Sequence, residues 1–279
     1  MGWGKDAFHL KYHGGSVIID CHTHLSGLSG EPKHPEELLR AMDEAGIGYS
    51  CVLAEDPSDA GPTTDSLIVA TKAYPRLKVI GSAHVTGADD QHTQKLMRYL
   101  EDGTIHAVKF YPGYEDFYPT NETLFPMYEY CQKKRKTVMF HTGILMTGRG
   151  GRLKQVHPLE IDEVAYRFPN LTIVMAHFGN PWIMDCAAVV AKNKHVYTDV
   201  SAFFTENSSI GSEEQEDFVR RMGEFKRFVG DVKKCLFGTD WPLYSQKRYL
   251  EAVQAIPMTD EEQELVFWKN AATLFALNV

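Results

Sequence analysis

The stretch DEVAYRFPNLTIVMAHFG, residues 162–179, contains a candidate helix, a turn and an apolar strand, in that order. The candidate helix Asp162–Phe168 ends before Pro169-Asn170, a pair that is typical of turns. Leu171–Ala176 is a short run of aliphatic and β-branched residues, which favours a buried strand. The stretch therefore predicts one unit of an alternating α/β fold, in which His177 follows the strand directly.

This alternation extends over the whole chain. Eight short apolar runs of strand length are separated by longer stretches with helical character, and no linker interrupts them. The runs are Val17–Cys21, Tyr49–Ala54, Leu77–Ala83, Ile105–Phe110, Thr137–Phe140, Leu171–Ala176, Val196–Val200 and Cys235–Phe237. The 279 residues therefore predict a single α/β domain over 1–279, a (β/α)8 TIM barrel with an N-terminal extension at 1–16. A doubly wound open sheet is the alternative fold, but no run is followed by a nucleotide-binding glycine loop.

Two of the helical stretches carry clear features. Pro35–Gly46 places apolar residues on one face and ends at a glycine, a residue that often terminates helices. Asp260–Leu277 is expected to form a long helix that closes the chain.

Composition limits the classes of function. The formal net charge of −8 argues against nucleic acid as the main partner, although a metal can reverse the local field for an anionic substrate. No apolar run approaches the ~18 residues of a membrane span. The five cysteines form no CxxC pair and no signal peptide is found, so reduced thiols in a cytoplasmic protein are expected. The expected partner is a small-molecule substrate, and a homo-oligomer is compatible with the sequence.

Residues that can bind a metal follow several apolar runs at their C-terminal ends. Val17–Cys21 leads into His22 and His24, which are two apart on an extended chain, so both imidazoles point to the same side. In a barrel that side can be the interior, and two imidazoles on one face can begin a zinc site. An isolated HxH is weak support for a metal, so the other strand ends decide the question.

Lys109 lies near the end of the fourth run, between Val108 and Phe110. If these two apolar neighbours face the helices, the alternation of a strand points Lys109 inward. A buried ammonium without a partner is costly. Lys109 is therefore expected either to pair with an acid, or to lose its proton and react with carbon dioxide to give a carbamate, which is an oxygen ligand.

The fifth, sixth and eighth runs also end on candidate ligands. His141 and His177 each follow an apolar strand and precede a glycine by two residues. Asp240 follows the last run and precedes Trp241-Pro242; it can cap a helix, or bind a metal and take a proton from water. His84 ends the third run and is a further candidate for the same mouth.

The chain resembles the amidohydrolase-related (amidohydrolase 2) branch of the amidohydrolase superfamily in four motifs and in the lysine of its fourth strand. The motifs are HTH at 22–24, FHTG at 140–143, AHFG at 176–179 and FGTDWP at 237–242. The match continues to the closing segment 270–275. The resemblance implies a (β/α)8 barrel that binds one or two divalent ions, with zinc first and manganese or iron as alternatives. The branch includes hydrolases, lactonases and non-oxidative decarboxylases.

The resemblance also implies roles for the residues at the strand ends. His22, His24 and Asp240 would bind the first metal, and Asp240 would also take the proton from the attacking water. His141 would bind the first metal in a site with one ion, or the second metal in a site with two. His177 would bind the second metal, or would act as acid/base and stabilise the oxyanion beside a single ion.

A metal-dependent hydrolase is the main functional prediction, with a small-molecule amide, lactone or ester as its substrate. Lys109 matches the position at which binuclear hydrolases of the superfamily carry a bridging carboxylated lysine or a glutamate. The alternative is a metal-dependent non-oxidative decarboxylase of a small carboxylic acid, aromatic or not. Decarboxylases of the branch generally lack this lysine, are usually longer, and several have Glu-x-His in place of His-x-His. A barrel that binds a ligand without catalysis is the third hypothesis.

Five residues that follow strand ends are predicted to contact the substrate, on the functional face of a barrel. They are Tyr111, Arg149, Arg152, Trp182 and Trp241. The two arginines belong to a glycine-rich loop at 148–152, whose guanidinium groups could hold a carboxylate or phosphate of the substrate. The same loop is equally compatible with a solvated surface segment.

Overall fold

A computed structural model describes residues 17–26, 32–55, 61–85, 90–146, 151–204 and 211–278 of the chain. Eight strands form one sheet, and each strand pairs in parallel with the strand that follows it in sequence. The strands are β1 (Ile19–Thr23), β2 (Tyr49–Leu53), β3 (Leu77–Ser82), β4 (Ala107–Phe110), β5 (Thr137–Phe140), β6 (Thr172–Met175), β7 (Val196–Asp199) and β8 (Cys235–Leu236). The predicted N-terminal extension at 1–16 lies outside the described residues.

The first and last strands meet and close the sheet. The backbone N–H of Cys21 donates to the carbonyl of Phe237 at 2.9 Å, and Thr23 forms a parallel bridge with Trp241. The eight strands coincide with the eight apolar runs of the sequence, and helices lie between them. The predicted (β/α)8 TIM barrel is therefore confirmed.

Helices connect the strands and follow the last one. They are α1 (Pro35–Ala45), α2 (Thr64–Thr71), α3 (Asp90–Asp102), α4 (Phe125–Lys134), α5 (Pro158–Arg167), α6 (Ile183–Lys192), α7 (Ser212–Val229), α8 (Gln246–Gln254), α9 (Asp260–Glu264) and α10 (Asn270–Leu274). Short 3-10 turns lie at Glu122–Leu124, Leu153–Val156 and Ala176–Gly179. Within the described ranges, no helix is long and apolar enough to cross a membrane.

The helix ends follow the sequence signals in part. Gly46 ends α1 in the left-handed region, with φ +72°, as a glycine at this position allows. The helix expected at Asp162–Phe168 begins earlier, at Pro158, because the side chain of His157 accepts a hydrogen bond from its first turn and proline is favoured there. The expected closing helix consists of α9 and α10, joined by a π-helical turn at Leu265–Lys269.

Two apolar layers hold the barrel together. The outer layer packs the strands against the helices, and the inner layer fills the barrel and includes Ile19 and Cys21. Phe275, just after α10, completes the inner layer, and its carbonyl lies 3.0 Å from Nδ1 of His106 at the start of β4. The end of the chain therefore plugs the N-terminal end of the barrel. A site can open only at the C-terminal ends of the strands, which is where the candidate ligands lie.

Candidate active site

His22 and His24 of β1 meet Asp240 at the C-terminal end of the barrel. Nε2 of His22 lies 3.6 Å, and Nε2 of His24 lies 3.3 Å, from Oδ1 of Asp240. The backbone N–H of Asp240 donates to the carbonyl of His22 at 2.8 Å. The closure of the barrel thus brings the carboxylate to the two imidazoles, and one potential ligand atom of each residue lies within 4.8 Å of the other two.

The distances from the two imidazole nitrogens to the carboxylate oxygen fit a divalent metal. Zinc bonds of about 2.0–2.2 Å to nitrogen and oxygen place neighbouring ligand atoms of a tetrahedron about 3.4 Å apart. The observed separations of 3.3 and 3.6 Å lie on either side of that value. Imidazole nitrogen and carboxylate oxygen also suit manganese and iron, so the donor set itself does not select zinc.

A carboxylate lies behind each histidine of this group. Nδ1 of His22 lies 2.8 Å from Oδ2 of Asp199, and Nδ1 of His24 lies 2.7 Å from Oε1 of Glu55. The Asp199 contact is a hydrogen bond that keeps the proton of His22 on Nδ1 and leaves Nε2 available to a metal, whereas the Glu55 contact with His24 is an ion pair without hydrogen-bond geometry. Sequence reasoning did not identify either acid. Both nevertheless carry the same signal as the histidines, because Asp199 ends β7 and Glu55 follows β2 by two residues.

The loop that carries Asp240 is held by a buried carboxylate of β1, Asp20. Asp20 accepts hydrogen bonds from the N–H and hydroxyl of Thr239 at 3.0 and 2.6 Å, and from the amide of Gln246 at 2.8 Å. The Thr239 hydroxyl oxygen accepts in turn from the N–H of Trp241 at 3.1 Å. Burial raises the pKa of Asp20 to about 7 in spite of these bonds. Both neighbours of Asp240 are thereby fixed, and its own backbone is left-handed, with φ +64°.

His177 and His141 extend the group. The ring centroids of His22 and His177 lie 4.7 Å apart, and those of His177 and His141 lie 4.9 Å apart. His177 has a left-handed backbone, with φ +63°, and its N–H donates to Oδ1 of Asp199 at 2.9 Å. Nε2 of His141 lies 3.2 Å from the carbonyl oxygen of Ile144. The imidazoles therefore form a continuous row across the mouth of the barrel.

Lys109 points into the barrel. Its strand neighbours, Val108 and Phe110, pack in the outer apolar layer. The lysine side chain is fully buried, and its Nζ has no hydrogen-bond partner among the residues that the structure describes. Burial lowers the pKa of Lys109 to about 8, although nearby carboxylates oppose the change. An unpaired amine that can become neutral is suited to meet an anion, a metal or carbon dioxide.

The surrounding charges divide the histidines into two kinds. Burial acts to lower the pKa of His24, but the carboxylates of Glu55 and Asp240 outweigh it and raise the value to about 10. Burial, together with neighbouring cationic groups, lowers the pKa of the three other histidines of the row, His22, His141 and His177. In the metal-free protein these three are neutral and offer a lone pair, whereas His24 forms an ion pair that a metal would replace.

The aromatic residues predicted to contact the substrate have different surroundings. Tyr111 is buried, its hydroxyl donates to the carbonyl of Ala54 at 2.7 Å, and its ring lies 5.3 Å from Nζ of Lys109. Trp241 is buried next to Asp240. Trp182 packs on the ring of His157 with centroids 4.8 Å apart, on the side of α5 and α6. Tyr111 therefore lies beside Lys109, Trp241 packs in the outer apolar layer, and Trp182 contacts the ring of His157.

Arg152, a basic residue of the candidate substrate loop, lies at the surface and not among the histidines. Arg152 is exposed and borders a surface hollow of about 420 Å³ whose other lining residues are Asp116, Phe117, Tyr118, Thr120, Asn121 and Gln155. Arg149 lies outside the described residues. His84 belongs to a separate polar group after β3, where its ring stacks on His92 with centroids 5.0 Å apart.

Solved structures with this architecture include proteins of different activities. An uncharacterized TIM-barrel protein from Bordetella bronchiseptica is 22% identical, with a TM-score of 0.73 over 93% of this chain and 98% of that one. An amidohydrolase from Burkholderia multivorans with bound zinc is 15% identical, with a TM-score of 0.69 over 94% of this chain and 100% of that one. The 2,6-dihydroxybenzoate decarboxylase from Rhizobium is 14% identical, with a TM-score of 0.67 over 95% and 100%. At these identities the likeness shows the fold alone.

The family assignment rests on the sequence itself. A search of curated proteins gives no match. The sequence profile of the family described as Amidohydrolase matches residues 19–277, a range that contains every strand of the barrel and every residue of the histidine row. The chain belongs to the amidohydrolase family.

Proposed function

We propose that the protein is a metal-dependent hydrolase that cleaves an amide, lactone or ester bond of a small molecule with an activated water. The observation that carries the proposal is the convergence of two Nε2 atoms on the Asp240 carboxylate at 3.3 and 3.6 Å, the spacing of a tetrahedral metal site. The carboxylates at Nδ1 of both histidines support it, because such partners orient metal-binding imidazoles. Zinc is the first choice, since the Burkholderia amidohydrolase of the same fold has zinc bound, with manganese and iron as alternatives.

A divalent ion held by His22, His24 and Asp240 supplies Lewis acidity, which polarises a carbonyl and lowers the pKa of water. The residues of the chain carry out the proton transfers. Burial opposes ionisation of Asp240, but His24 and His22 outweigh it and lower its pKa, so Asp240 is a carboxylate at neutral pH. It accepts the proton of the attacking water and returns it to the leaving group. His177 acts with it as acid/base beside one ion, or binds the second of two ions.

Lys109 determines how many ions the site holds. With a pKa of about 8, a neutral fraction of its amine is available to attack carbon dioxide at neutral pH. A nitrogen–carbon bond forms, one amine proton leaves to solvent, and the resulting carbamate would supply two oxygen ligands to a site with two ions. An unmodified ammonium would instead pair with an acidic group of the substrate beside a single ion.

A decarboxylase is the second candidate function, and an unmodified Lys109 beside a single ion would support it, although decarboxylases of the branch generally lack this lysine. A buried ammonium would be neutralised by the carboxylate of a substrate. The bond between that carboxylate and the substrate carbon breaks, carbon dioxide leaves, the electron pair stays on the carbon, and a proton taken up from solvent and passed through Asp240 or His177 replaces the lost group. The Rhizobium enzyme of the same fold is a decarboxylase of an aromatic acid, 2,6-dihydroxybenzoate.

The test is a metal count combined with an activity screen. The purified chain is stripped with a chelator, reloaded with zinc, manganese or iron, and assayed against lactones, amides and aromatic carboxylic acids. We expect metal-dependent release of acid from a lactone, ester or amide, two ions per chain, and a carbamate on Lys109. One ion per chain, an unmodified lysine and release of carbon dioxide would support the decarboxylase instead. Full activity of the chelator-treated protein would refute both.

A pair of histidine variants provides the matched control. His24→Ala removes one Nε2 from the group around Asp240, and we expect loss of both the metal and turnover. His195 precedes β7, at the opposite end of the barrel, and it is only partly buried. His195→Ala should therefore retain the metal and turnover of the wild type.

A further inference from the structure

The fully buried carboxylate of Asp199 lies behind two histidines at once. Its Oδ2 lies 2.8 Å from Nδ1 of His22. Its Oδ1 accepts from the backbone N–H of His177 at 2.9 Å, and from the N–H and hydroxyl of Ser201 at 3.0 and 2.6 Å. Ser201 is also fully buried, and its Oγ lies 3.0 Å from Nδ1 of His177. One carboxylate and one hydroxyl thus connect the imidazoles of His22 and His177.

The donors and acceptors around each ring determine which of its nitrogens is protonated. A carboxylate only accepts, so the 2.6 Å contact between Ser201 and Asp199 must hold the single hydroxyl proton of the serine. The oxygen of Ser201 can then only accept from His177, which places the proton of His177 on Nδ1. Nδ1 of His22 faces two acceptors, Asp199 at 2.8 Å and Ser201 at 3.2 Å, and is protonated for the same reason.

We propose that Asp199 and Ser201 are positioning residues that fix the tautomers of His22 and His177 together, so that both rings keep Nε2 as the unprotonated nitrogen. The Asp199 bond to the N–H of His177 also holds the left-handed backbone that places this ring beside His22. What the two Nε2 atoms then do, as ligand or as base, rests on the proposed function. The tautomers themselves do not, because they follow from contacts within the chain.

His141 offers an internal contrast. Its Nε2 lies 3.2 Å from the carbonyl oxygen of Ile144, which only accepts, so the proton of this ring is on Nε2 and Nδ1 is unprotonated. The three neutral rings of the row should therefore show two tautomers, Nδ1–H in His22 and His177 and Nε2–H in His141. The Nδ1–H form of His22 and His177 therefore reports directly on their contacts with Asp199 and Ser201.

The test uses metal-free, full-length protein labelled with nitrogen-15 in its histidines. Two-bond proton–nitrogen correlation spectra identify the protonated nitrogen of each ring, and single histidine variants assign the signals. Zinc affinity is measured separately by competition with a chelator. In Ser201→Ala, His177 should lose its fixed tautomer while His22 keeps its own, so the affinity of the site formed by His22, His24 and Asp240 for zinc should stay within a few-fold of the wild type. Turnover, where a substrate is found, should fall about 10–100-fold through kcat.

Asp199→Asn separates the two histidines further. Its amide can donate to Nδ1 of His22 and so favour the Nε2–H tautomer, which cannot bind a metal, and zinc affinity should fall about 10–100-fold. Ser82→Ala is the matched control, because Ser82 is also fully buried at a strand end but its hydroxyl has no hydrogen-bond partner within the described residues. It should leave all tautomers and zinc affinity unchanged.

Three outcomes would overturn the proposal. One is an Nε2–H tautomer of His177 in the wild type, the second is a His177 tautomer that does not change in Ser201→Ala, and the third is unchanged zinc affinity in a folded Asp199→Asn protein. If Asp199→Asn does not fold, the Ser201→Ala spectra decide alone. Failure to find hydrolysis with these tautomers present would count against the proposed function and leave the positioning roles in place.

Discussion

Replacement of Lys109 by methionine should stabilise the metal-free protein while it removes a functional group from the site. Lys109 is fully buried, and burial lowers the pKa of its ammonium from 10.5 to about 8. The difference corresponds to roughly 3 kcal/mol, at about 1.4 kcal/mol for each pH unit. Methionine has a similar length, is flexible and carries no charge, so it should remove this cost without leaving a cavity. Lys109→Met should therefore be more stable than the wild type at pH 7 by up to about 3 kcal/mol.

The pH dependence of stability gives a second measure of the same effect. The folded protein releases the Lys109 proton at a lower pH than the unfolded chain, so the unfolded chain binds more protons between about pH 8 and 10.5. The Lys109 contribution to the stability of the metal-free wild type should therefore rise with pH across this window, against an opposite slope from His24, whose folded pKa is about 10 and which both proteins share. Lys109→Met should lack this rise, and its advantage should disappear at the upper end of the window.

Urea unfolding of metal-free protein in carbonate-free buffers, at intervals from pH 7 to 10, measures both effects. A gain of about 3 kcal/mol should move the unfolding midpoint by about 1 M. Lys133→Met, an exposed substitution in α4, is the control and should change stability by less than about 0.5 kcal/mol. A loss of stability in Lys109→Met at pH 7, with the control unchanged, would refute the reasoning, because it would mean that the lysine has a favourable partner in the folded protein.

Three further predictions concern the acids around the site and in the outer shell of helices. Asp240→Asn should leave the fold intact and lower turnover by about 10²–10⁴-fold, because an amide cannot accept the proton. Circular dichroism checks the fold, and steady-state kinetics check the turnover. Near-normal turnover would mean that Asp240 has only a structural role. Glu55→Gln should weaken zinc binding about 10–100-fold, because His24 loses the carboxylate 2.7 Å from Nδ1; unchanged affinity in a chelator competition would exclude this role. Glu262→Gln should destabilise the protein by about 2 kcal/mol at pH 7, because buried Glu262 accepts from Lys226 at 2.8 Å and from the N–H of Val232 at 3.2 Å. Burial acts to raise the pKa of Glu262, but these hydrogen bonds lower it below 4.5. The stabilisation by Glu262 should therefore be lost as the pH falls through its folded pKa. An equal difference in stability between Glu262→Gln and the wild type at pH 7 and below pH 4 would contradict the assignment.

The fold could be predicted from the sequence because the strands are recognisable from their local sequence. A run such as Leu171–Ala176 is short, apolar and followed directly by a polar residue, and this pattern repeats at most of the strands. Strand alternation also gave the inward direction of Lys109, since Val108 and Phe110 pack in the outer layer. The start of α5 at Pro158 was missed, because its cap is a histidine, and the usual capping signal is a serine, threonine, aspartate or asparagine.

The partners of the histidines could not be predicted in the same way. Asp199 and Glu55 lie on β7 and just after β2, far from His22 and His24 in sequence, and only the closed barrel brings them to Nδ1 of each ring. The tautomers depend on hydrogen bonds at 2.6–3.2 Å, which no pattern of residue types specifies. Arg152 shows the opposite error: its position after a strand placed it on the functional face, yet the structure turns it to a surface hollow.

The plug formed by Phe275 has a consequence for synthesis on the ribosome. The first strand needs the carbonyl of Phe237 as a hydrogen-bond acceptor for Cys21, and the inner layer needs Phe275, so neither contact can form until the final part of the chain has emerged. At a translation rate of about 5–20 residues per second, roughly 10–50 seconds pass between the synthesis of β1 and that of these partners. During that time its apolar edge is open to other nascent chains. The strands that are synthesised first therefore stay exposed for longest. Slow translation should increase aggregation of this protein.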